Sequence, residues 1–299
     1  MPAFNSVKTS TIRTVGLFAK YADKSVGEVI QRLCDFLHDR ELKVVMEEAI
    51  TGLPEMVHAQ CLPPDEIAGA IDLAIVVGGD GTMLHVARQL AANRVPLIGV
   101  NLGRLGFLTD IPKDNMLDSL AAVLDGEFRS EERILLKVEL WRDGKILRSA
   151  NALNDVVVNK GQLARLIEFE VYVDDDFVSS TRADGIIVST PTGSTAYALS
   201  AGGPILYPTM AALALVPICP HTLSNRPVVI DSNSRIEIAM TDSSQESAYL
   251  SFDGQMGYGL QDNDRIRVCR ADHPVTLIHP AERNHFDVLR TKLRWGEKF

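Results

Sequence analysis

Cysteines and long apolar runs are both scarce in this chain. Four cysteines occur among 299 residues, and no two of them have the spacing of a zinc site or a redox pair. We therefore expect reduced, mostly buried thiols in a cytoplasmic protein rather than a disulfide framework. The N-terminus has no apolar signal core, and the longest apolar stretch, around 210–219, is too short to cross a bilayer. These absences predict a protein that is neither exported nor embedded in a membrane.

Several common catalytic signatures are also missing. The sequence has no Walker A lysine motif and no G-x-G-x-x-G fingerprint, which argues against P-loop and hydride-transfer enzymes. It has no H-E-x-x-H zinc motif and no G-x-S-x-G nucleophile elbow. The formal net charge is −9, and an acidic surface makes nucleic acid a poor partner. A small phosphorylated ligand stays compatible with this charge, because a few local donors can hold it.

The pattern of apolar residues divides the chain into two halves. Up to about residue 125, short apolar runs such as Leu73–Val77 alternate with segments of helical periodicity such as Ser25–Arg40. This alternation predicts an α/β domain with a parallel sheet over residues 1–129. After about residue 130 the apolar period becomes two, and Asp143-Gly144 fits a tight hairpin turn. We therefore predict an all-β sandwich over 130–279, with a C-terminal helix in 280–299 returning to the first domain.

The most informative segment is the glycine-rich turn that follows the buried strand Leu73–Val77. It reads Gly78-Gly79-Asp80-Gly81-Thr82 and stands where a helix is predicted to begin. Glycines at such a point let backbone N–H groups approach phosphate oxygens, and Thr82 could cap the helix or donate its hydroxyl. A carboxylate among them needs another task, such as accepting a proton from an attacking hydroxyl. The alternative is an ordinary tight turn in which Asp80 bonds only to backbone.

The order of several motifs makes the chain recognisable. The glycine turn resembles a signature shared by NAD kinases, diacylglycerol and sphingosine kinases and, more loosely, phosphofructokinases. The remaining segments resemble those of the NAD kinase family in the right order, from about Val15 to the C-terminus. They are 101–109 (NLGRLGFLT), Asn154-Asp155, Asp184-Gly185, 189–197 (STPTGSTAY), 201–204 (AGGP) and 253–255 (DGQ).

The resemblance implies a fold, a reaction and a set of site residues. It implies a Rossmann-like, phosphofructokinase-like first domain and transfer of phosphate from ATP, with Mg²⁺, to the 2′-hydroxyl of the adenosine ribose of NAD. Asp80 would be the general base, and phosphate would bind at Gly78, Gly79, Gly81 and Thr82. The NAD-binding residues would be Asp80, Gly81, Phe107, Asn154, Asp155, Arg165, Arg182, Asp184, Thr195, Ala196, Tyr197, Ser200 and Gln255. The resemblance also implies a homodimer or homotetramer, and assigns no protein ligand to the metal.

Two positions carry more specific expectations. The family usually has Glu where this chain has Asp155, so a shorter side chain changes the hydrogen bond that this position can make. Arg182 matches a position where enzymes of the Gram-negative type carry arginine, which predicts a preference for NAD over NADH and for ATP over polyphosphate.

Two other functions compete with this interpretation. A lipid kinase of the diacylglycerol type shares the glycine signature, but it should carry a basic or apolar membrane-binding surface. A non-catalytic nucleotide sensor on the same fold is the second alternative, and retention of Asp80 speaks against it.

Overall fold

The computed structural model describes residues 12–19, 24–47, 58–103, 105–161, 166–222, 224–242 and 248–295. They form two compact units. Unit 1 is drawn from residues up to Glu132 and from Val275 onward, and unit 2 runs from Arg133 to Pro274. In the described part of the chain, no helix combines the length and the apolar character needed to span a membrane.

Unit 1 alternates strands with helices. Its strands are β1 (Thr14–Ala19), β2 (Lys43–Glu47), β3 (Ala59–Leu62), β4 (Leu73–Val77), β5 (Leu97–Asn101), β6 (Ile111–Pro112), β7 (Phe128–Arg133) and β20 (Val275–Pro280). Its helices are α1 (Lys24–Asp39), α2 (Pro64–Ala70), α3 (Asp80–Leu90), α4 (Met116–Leu124) and α6 (His285–Leu293).

The sheet of unit 1 has the order β3-β2-β1-β4-β5-β20-β7, with β6 paired to β5. The neighbouring pairs from β3 to β20 are parallel. β1 and β4 are neighbours although two strands separate them in sequence, so the connections run outward in opposite directions from this point. In open sheets of this kind, ligands bind at the carboxyl ends of the strands near such a reversal.

The core of unit 1 explains why its strands are continuous apolar runs. Every residue of β4 and of β5 is buried. One apolar cluster joins α1, α4 and the faces of β1, β4 and β5, with Leu33, Ile75 and Leu120 fully buried within it. This cluster covers one face of the sheet. Because the residues of β4 and β5 that point to the other face are buried as well, both faces are covered and the polar alternation of an exposed face is absent.

Unit 2 consists of two six-stranded antiparallel sheets. The first has the order β15-β14-β13-β10-β17-β18 and the second β12-β11-β16-β19-β8-β9. The strands are β8 (Leu136–Arg142), β9 (Lys145–Ala152), β10 (Asp155–Lys160), β11 (Ile167–Val173), β12 (Asp176–Ala183), β13 (Gly185–Ser189), β14 (Ala212–Ile218), β15 (Val228–Asp231), β16 (Ile236–Asp242), β17 (Ala248–Phe252), β18 (Gln255–Leu260) and β19 (Arg265–Arg270); α5 is a single turn, Tyr197–Ser200.

Both sheets of unit 2 contribute to one apolar cluster, so they form a sandwich. Val156, Val188 and Leu250 from one sheet belong to the same cluster as Phe169 and Ile266 from the other. The parallel sheet and the β-sandwich predicted from the sequence are thus confirmed. The hairpin at Asp143-Gly144 is also confirmed: both residues have positive φ, and Arg142 pairs with Lys145.

Candidate active site

Asp80 opens helix α3 directly after the carboxyl end of β4. Gly78 continues the strand and donates its N–H to the carbonyl of Val100 on β5, at 2.9 Å. Gly79 occupies the N-cap position, and no side chain caps the helix. The expectation that Thr82 caps this helix is therefore wrong, because α3 begins two residues earlier. Thr82 lies within the first turn, and its hydroxyl instead fills the space beside Gly78.

The carboxylate of Asp80 is held by the loop that follows the neighbouring strand β5. Its Oδ2 accepts the backbone N–H of Phe107 at 2.9 Å, and its Oδ1 accepts that of Leu108 at 3.0 Å. The hydroxyl of Thr109 lies 3.3 Å from the same Oδ1. Two fixed backbone donors orient both oxygens of the carboxylate.

Gly106 makes this close approach possible. A Cβ at residue 106 would lie 2.1 Å from Oδ1 of Asp80 and 2.3 Å from Oγ1 of Thr109, which is closer than any non-bonded contact permits. The side chain of Asn101, at the end of β5, braces the loop by donating to Thr109 at 2.9 Å and accepting the N–H of Gly103 at 2.7 Å. The contribution of Gly106, Leu108 and Thr109 was not assigned from the sequence, although the resemblance had marked 101–109 as one motif.

Within unit 2, Asn154 and Asp155 are held by a carboxylate on a neighbouring hairpin. Asp253 accepts the backbone N–H groups of Leu153, Asn154 and Asp155 at 3.1, 2.7 and 3.2 Å. Asp253 and Gly254 form the turn between β17 and β18, and both have positive φ. Gln255 begins β18 immediately after this turn. Asp253 is thus a positioning residue. It belongs to the 253–255 motif, but the sequence alone gave it no role.

Asp155 is almost completely buried, with 3% of its surface exposed. Burial, followed by the negative charge of Asp253, raises the pKa of Asp155 to about 7. A carboxyl group with this pKa is partly protonated near pH 7, so it can donate a hydrogen bond as well as accept one. The expectation of an altered hydrogen bond at this position stays a prediction.

The segment 190–197 packs on the backbone of Asn154. Thr190 donates its N–H to the carbonyl of Asn154 at 2.9 Å and its hydroxyl to that of Leu153 at 2.6 Å. A Cβ at Gly193 would lie 2.1 Å from the carbonyl oxygen of Asn154, so only glycine fits here. Two motifs that lie far apart in sequence are thereby joined.

Neither Ser194 nor Thr195 caps a helix. The Ser194 hydroxyl bonds to the carbonyl of Pro191 at 2.7 Å and accepts the N–H of Leu206 at 3.0 Å. The Thr195 hydroxyl reaches back to the carbonyl of Thr192 at 3.3 Å. Ala196 stands at the N-cap of α5, with no capping side chain, because 193–195 already form a 3₁₀ turn. Tyr197, 44% exposed, and Ser200 lie on the outside of α5.

The remaining predicted positions are placed at strand ends of unit 2. Asp184, between β12 and β13, pairs with Lys160 at 2.8 Å, and both side chains are about one-third exposed. Arg182 on β12 pairs with Glu168 on β11 at 2.7 Å and is 61% exposed. Arg165 lies outside the described residues.

A cage of acidic side chains for a metal is absent from the described part of the chain. Over the residues that the structure describes, no three His, Cys, Asp or Glu side chains converge to hold an ion. Mg²⁺ is usually bound through one or two carboxylates together with substrate phosphates rather than by such a cage. The donor set is therefore compatible with a magnesium ion that enters with a nucleotide.

Both units match known proteins. Residues 15–128 match the model of the ATP-NAD kinase N-terminal domain, and 153–280 that of the ATP-NAD kinase C-terminal domain. The chain is 48% identical over 292 residues to an NAD kinase of Thiobacillus denitrificans, covering 95% of this chain and 98% of that protein. It is 44% identical over 286 residues to an NAD kinase of Nitrosococcus oceani, covering 96% and 98%.

Two solved structures share the fold over nearly the whole chain. A yeast NADH kinase complexed with NADH superposes with a TM-score of 0.86 at 28% identity, covering 96% of this chain and 89% of that one. An Archaeoglobus fulgidus NAD kinase in complex with ATP gives a TM-score of 0.73 at 28% identity, covering 94% and 98%. On the two domain matches and the identity to full-length relatives, this chain belongs to the NAD kinase family.

Proposed function

We propose that the protein transfers the terminal phosphoryl group of ATP to the 2′-hydroxyl of the adenosine ribose of NAD, giving NADP. Membership of the NAD kinase family supports the reaction. The observation that carries the assignment of roles is the carboxylate of Asp80, oriented at the N-terminus of a helix by two backbone amides. The relatives named above are NAD or NADH kinases, so the lipid-kinase alternative gains no support from them.

Asp80 is assigned the role of general base. A carboxylate can accept about four hydrogen bonds. Among the described residues, Oδ1 accepts from Leu108 and Thr109, whereas Oδ2 accepts from Phe107 alone. Oδ2 therefore retains a lone pair that can take the proton of the ribose hydroxyl as its oxygen attacks phosphorus in line. General-base assistance of this kind contributes about 10²–10⁴-fold to the rate.

The glycines on either side of Asp80 are assigned to the phosphates. Gly79 and Gly81 are exposed, and a Cβ at either position would meet no atom within 4 Å. This open space lies beside the N–H groups of the first turn of α3, where the helix dipole favours an anion. Gly78 and Thr82 would complete the phosphate site. Magnesium bound to the nucleotide would offset part of the phosphate charge, as is general for phosphoryl transfer.

Unit 2 is assigned the binding of NAD. Its ordered polar groups are the pair Asn154-Asp155, held by Asp253, and the segment 190–197 packed against them. Asp155, which is partly protonated near neutral pH, suits a ribose hydroxyl, which both donates and accepts. We propose further contacts to NAD from nine other residues: Phe107, Arg165, Arg182, Asp184, Thr195, Ala196, Tyr197, Ser200 and Gln255.

We also propose that the enzyme is a cytoplasmic homodimer or homotetramer. β15 is an edge strand, and its Val228 and Val229 side chains are each 44% exposed. Unpaired backbone groups beside exposed apolar side chains favour association with another strand. Sedimentation of the purified protein at micromolar concentration tests the assembly, and a monomer would contradict it.

The deciding experiment incubates the purified protein with ATP, Mg²⁺ and NAD and detects NADP with an NADP-specific dehydrogenase. The wild type should form NADP, whereas Asp80→Asn should fold normally and lose about 10²–10⁴-fold in kcat. Circular dichroism and the melting temperature check the folding of the variant. A kcat of Asp80→Asn close to that of the wild type would exclude Asp80 as the general base. Wild-type protein that binds NAD but forms no NADP would favour the nucleotide sensor.

A further inference from the structure

A group of four charged or titratable side chains in unit 1, three of them largely buried, lies next to the loop that holds Asp80. It comprises Asp110, Glu131, His279 and Arg283. Nε of Arg283 lies 2.8 Å from Oδ2 of Asp110, and the side chains are 6% and 9% exposed. His279, 1% exposed, contacts the same Oδ2 through Nδ1. Glu131 lies 3.6 Å from His279 and 3.7 Å from Arg283. The reaction assigned above uses none of these side chains.

Arg283 also bonds directly to the backbone of the Asp80 loop. Its Nη2 donates to the carbonyl oxygen of Phe107 at 2.9 Å. The N–H of that same residue donates to Asp80. One guanidinium therefore holds Phe107 at one side of Leu108-Thr109 and Asp110 at the other. Between these two anchors lie the other groups that contact the Asp80 carboxylate.

Stability alone is a weak reason for such a cluster. Burying charges is costly, and replacing a buried ion pair by apolar side chains is often neutral or stabilising. Burial works to raise the pKa of Asp110, but the charges and hydrogen bonds of His279 and Arg283 outweigh it and lower the pKa below its ordinary value. Asp110 is thus kept ionised, and its charge attracts the guanidinium that reaches Phe107.

We infer that Arg283 is a positioning residue for the phosphoryl transfer, because it clamps the loop from Phe107 to Asp110 whose amides orient Asp80. The inference rests on the proposed function in assigning Asp80 as the base. Arg283 lies in the turn between β20 and α6, where its N–H donates to the carbonyl of Pro280 at 3.0 Å. The C-terminal segment of the chain therefore takes part in orienting the base.

The variant Arg283→Lys separates positioning from simple charge. Lysine can pair with Asp110, but a single ammonium group lacks the planar fork that reaches Asp110 and the Phe107 carbonyl together. We expect kcat to fall about ten- to a hundredfold, because small displacements of a reacting group cost this much. The KM values for NAD and ATP should change less than about threefold. Amide hydrogen exchange in peptides covering 105–110 should accelerate.

A matched control is Arg142→Lys in unit 2. Arg142 pairs with the fully buried Asp264 through Nε and Nη2, at 2.7 and 2.8 Å. This substitution removes a comparable fork from an ion pair whose carboxylate is buried. It should lower the melting temperature without reducing kcat below half of the wild-type value or altering exchange in 105–110.

Three outcomes are distinguishable. Unchanged kcat together with unchanged exchange in Arg283→Lys would overturn the inference while leaving the proposed function intact. Failure of the wild type to make NADP would refute the proposed function, and the exchange data would still decide whether Arg283 clamps the loop. If Arg283→Lys does not fold, Asp110→Asn removes the anchor while keeping the arginine; it should accelerate the same exchange, and unchanged exchange would again overturn the inference.

Discussion

Asp155 should limit the stability of the folded chain at neutral and alkaline pH. Its pKa is raised from 3.8 to about 7 by burial and by the charge of Asp253. Between these values the unfolded chain has lost the proton and the folded chain still binds it, so stability falls as pH rises. Below pH 3.8 both states are protonated and the effect vanishes, and above about 7 the loss is complete. The variant Asp155→Asn, whose amide cannot ionise, should escape this loss.

The magnitude follows from the size of the shift. About three pKa units at 1.36 kcal/mol per unit give a ceiling of about 4 kcal/mol. With 3% exposure, Asp155 has little solvent to screen it. The variant Asp155→Asn should therefore match the wild type near pH 4 and gain about 1.4 kcal/mol per pH unit up to pH 7. The same variant should bind NAD more weakly, because substitutions that stabilise a functional site usually reduce its function.

The assay is urea denaturation from pH 4.5 to 8.5 followed by tryptophan fluorescence. The chain has two tryptophans, Trp141 in unit 2 and Trp295 in unit 1, so a Trp295→Phe background reports unfolding of unit 2 alone. The control with the opposite sign is Asp174→Asn. Its pKa is lowered, first by the backbone N–H of Arg235, which donates to Oδ1 at 2.8 Å. Removing that charge should lower stability above pH 4.

The result that would refute this reasoning is a constant difference between Asp155→Asn and the wild type across the pH range. Parallel curves would mean that Asp155 ionises equally in the folded and unfolded chains, and hence that neither burial nor Asp253 acts on it. A difference that grows as pH falls would reverse the sign of the linkage.

Three further predictions concern single side chains. Gly106→Ala should reduce kcat about a hundredfold, because its Cβ would collide with Asp80; Gly103→Ala in the same loop, where a Cβ meets nothing within 4 Å, should be silent, and equal kinetics of the two would contradict the packing argument. Asp253→Asn keeps a residue that tolerates positive φ, but it replaces the Oδ2 that accepts the N–H of Leu153 with an NH2 group and leaves a neutral oxygen to accept the N–H groups of Asn154 and Asp155. The KM for NAD should therefore rise about tenfold, and an unchanged KM would exclude Asp253 as a positioning residue. The kcat/KM of the wild type should be at least about tenfold higher with NAD than with NADH, and Arg182→Gly should reduce this ratio. Comparable wild-type rates with the two substrates would exclude a role of Arg182 in selecting NAD.

Local patterns were enough to place the central elements. The buried run Leu73–Val77 and the glycines after it located β4 and Asp80, and Asp143-Gly144 located a hairpin. The cap predicted at Thr82 is wrong, because a hydroxyl near a helix start does not reveal at which residue the helix begins. Contacts between residues far apart in sequence could not be predicted either. Arg283 meets Phe107 across 176 positions, and no periodicity within either segment encodes that contact.

The position of β20 in the sheet affects how the chain folds during synthesis. This strand lies between β5 and β7, although the whole of unit 2 separates it from them in sequence. During synthesis, the first sheet therefore has a gap until Val275–Pro280 has been made, which happens only after all of unit 2 has been synthesised. The nascent chain should expose unpaired edges of β5 and β7 throughout that interval, when chaperones and aggregation compete for it.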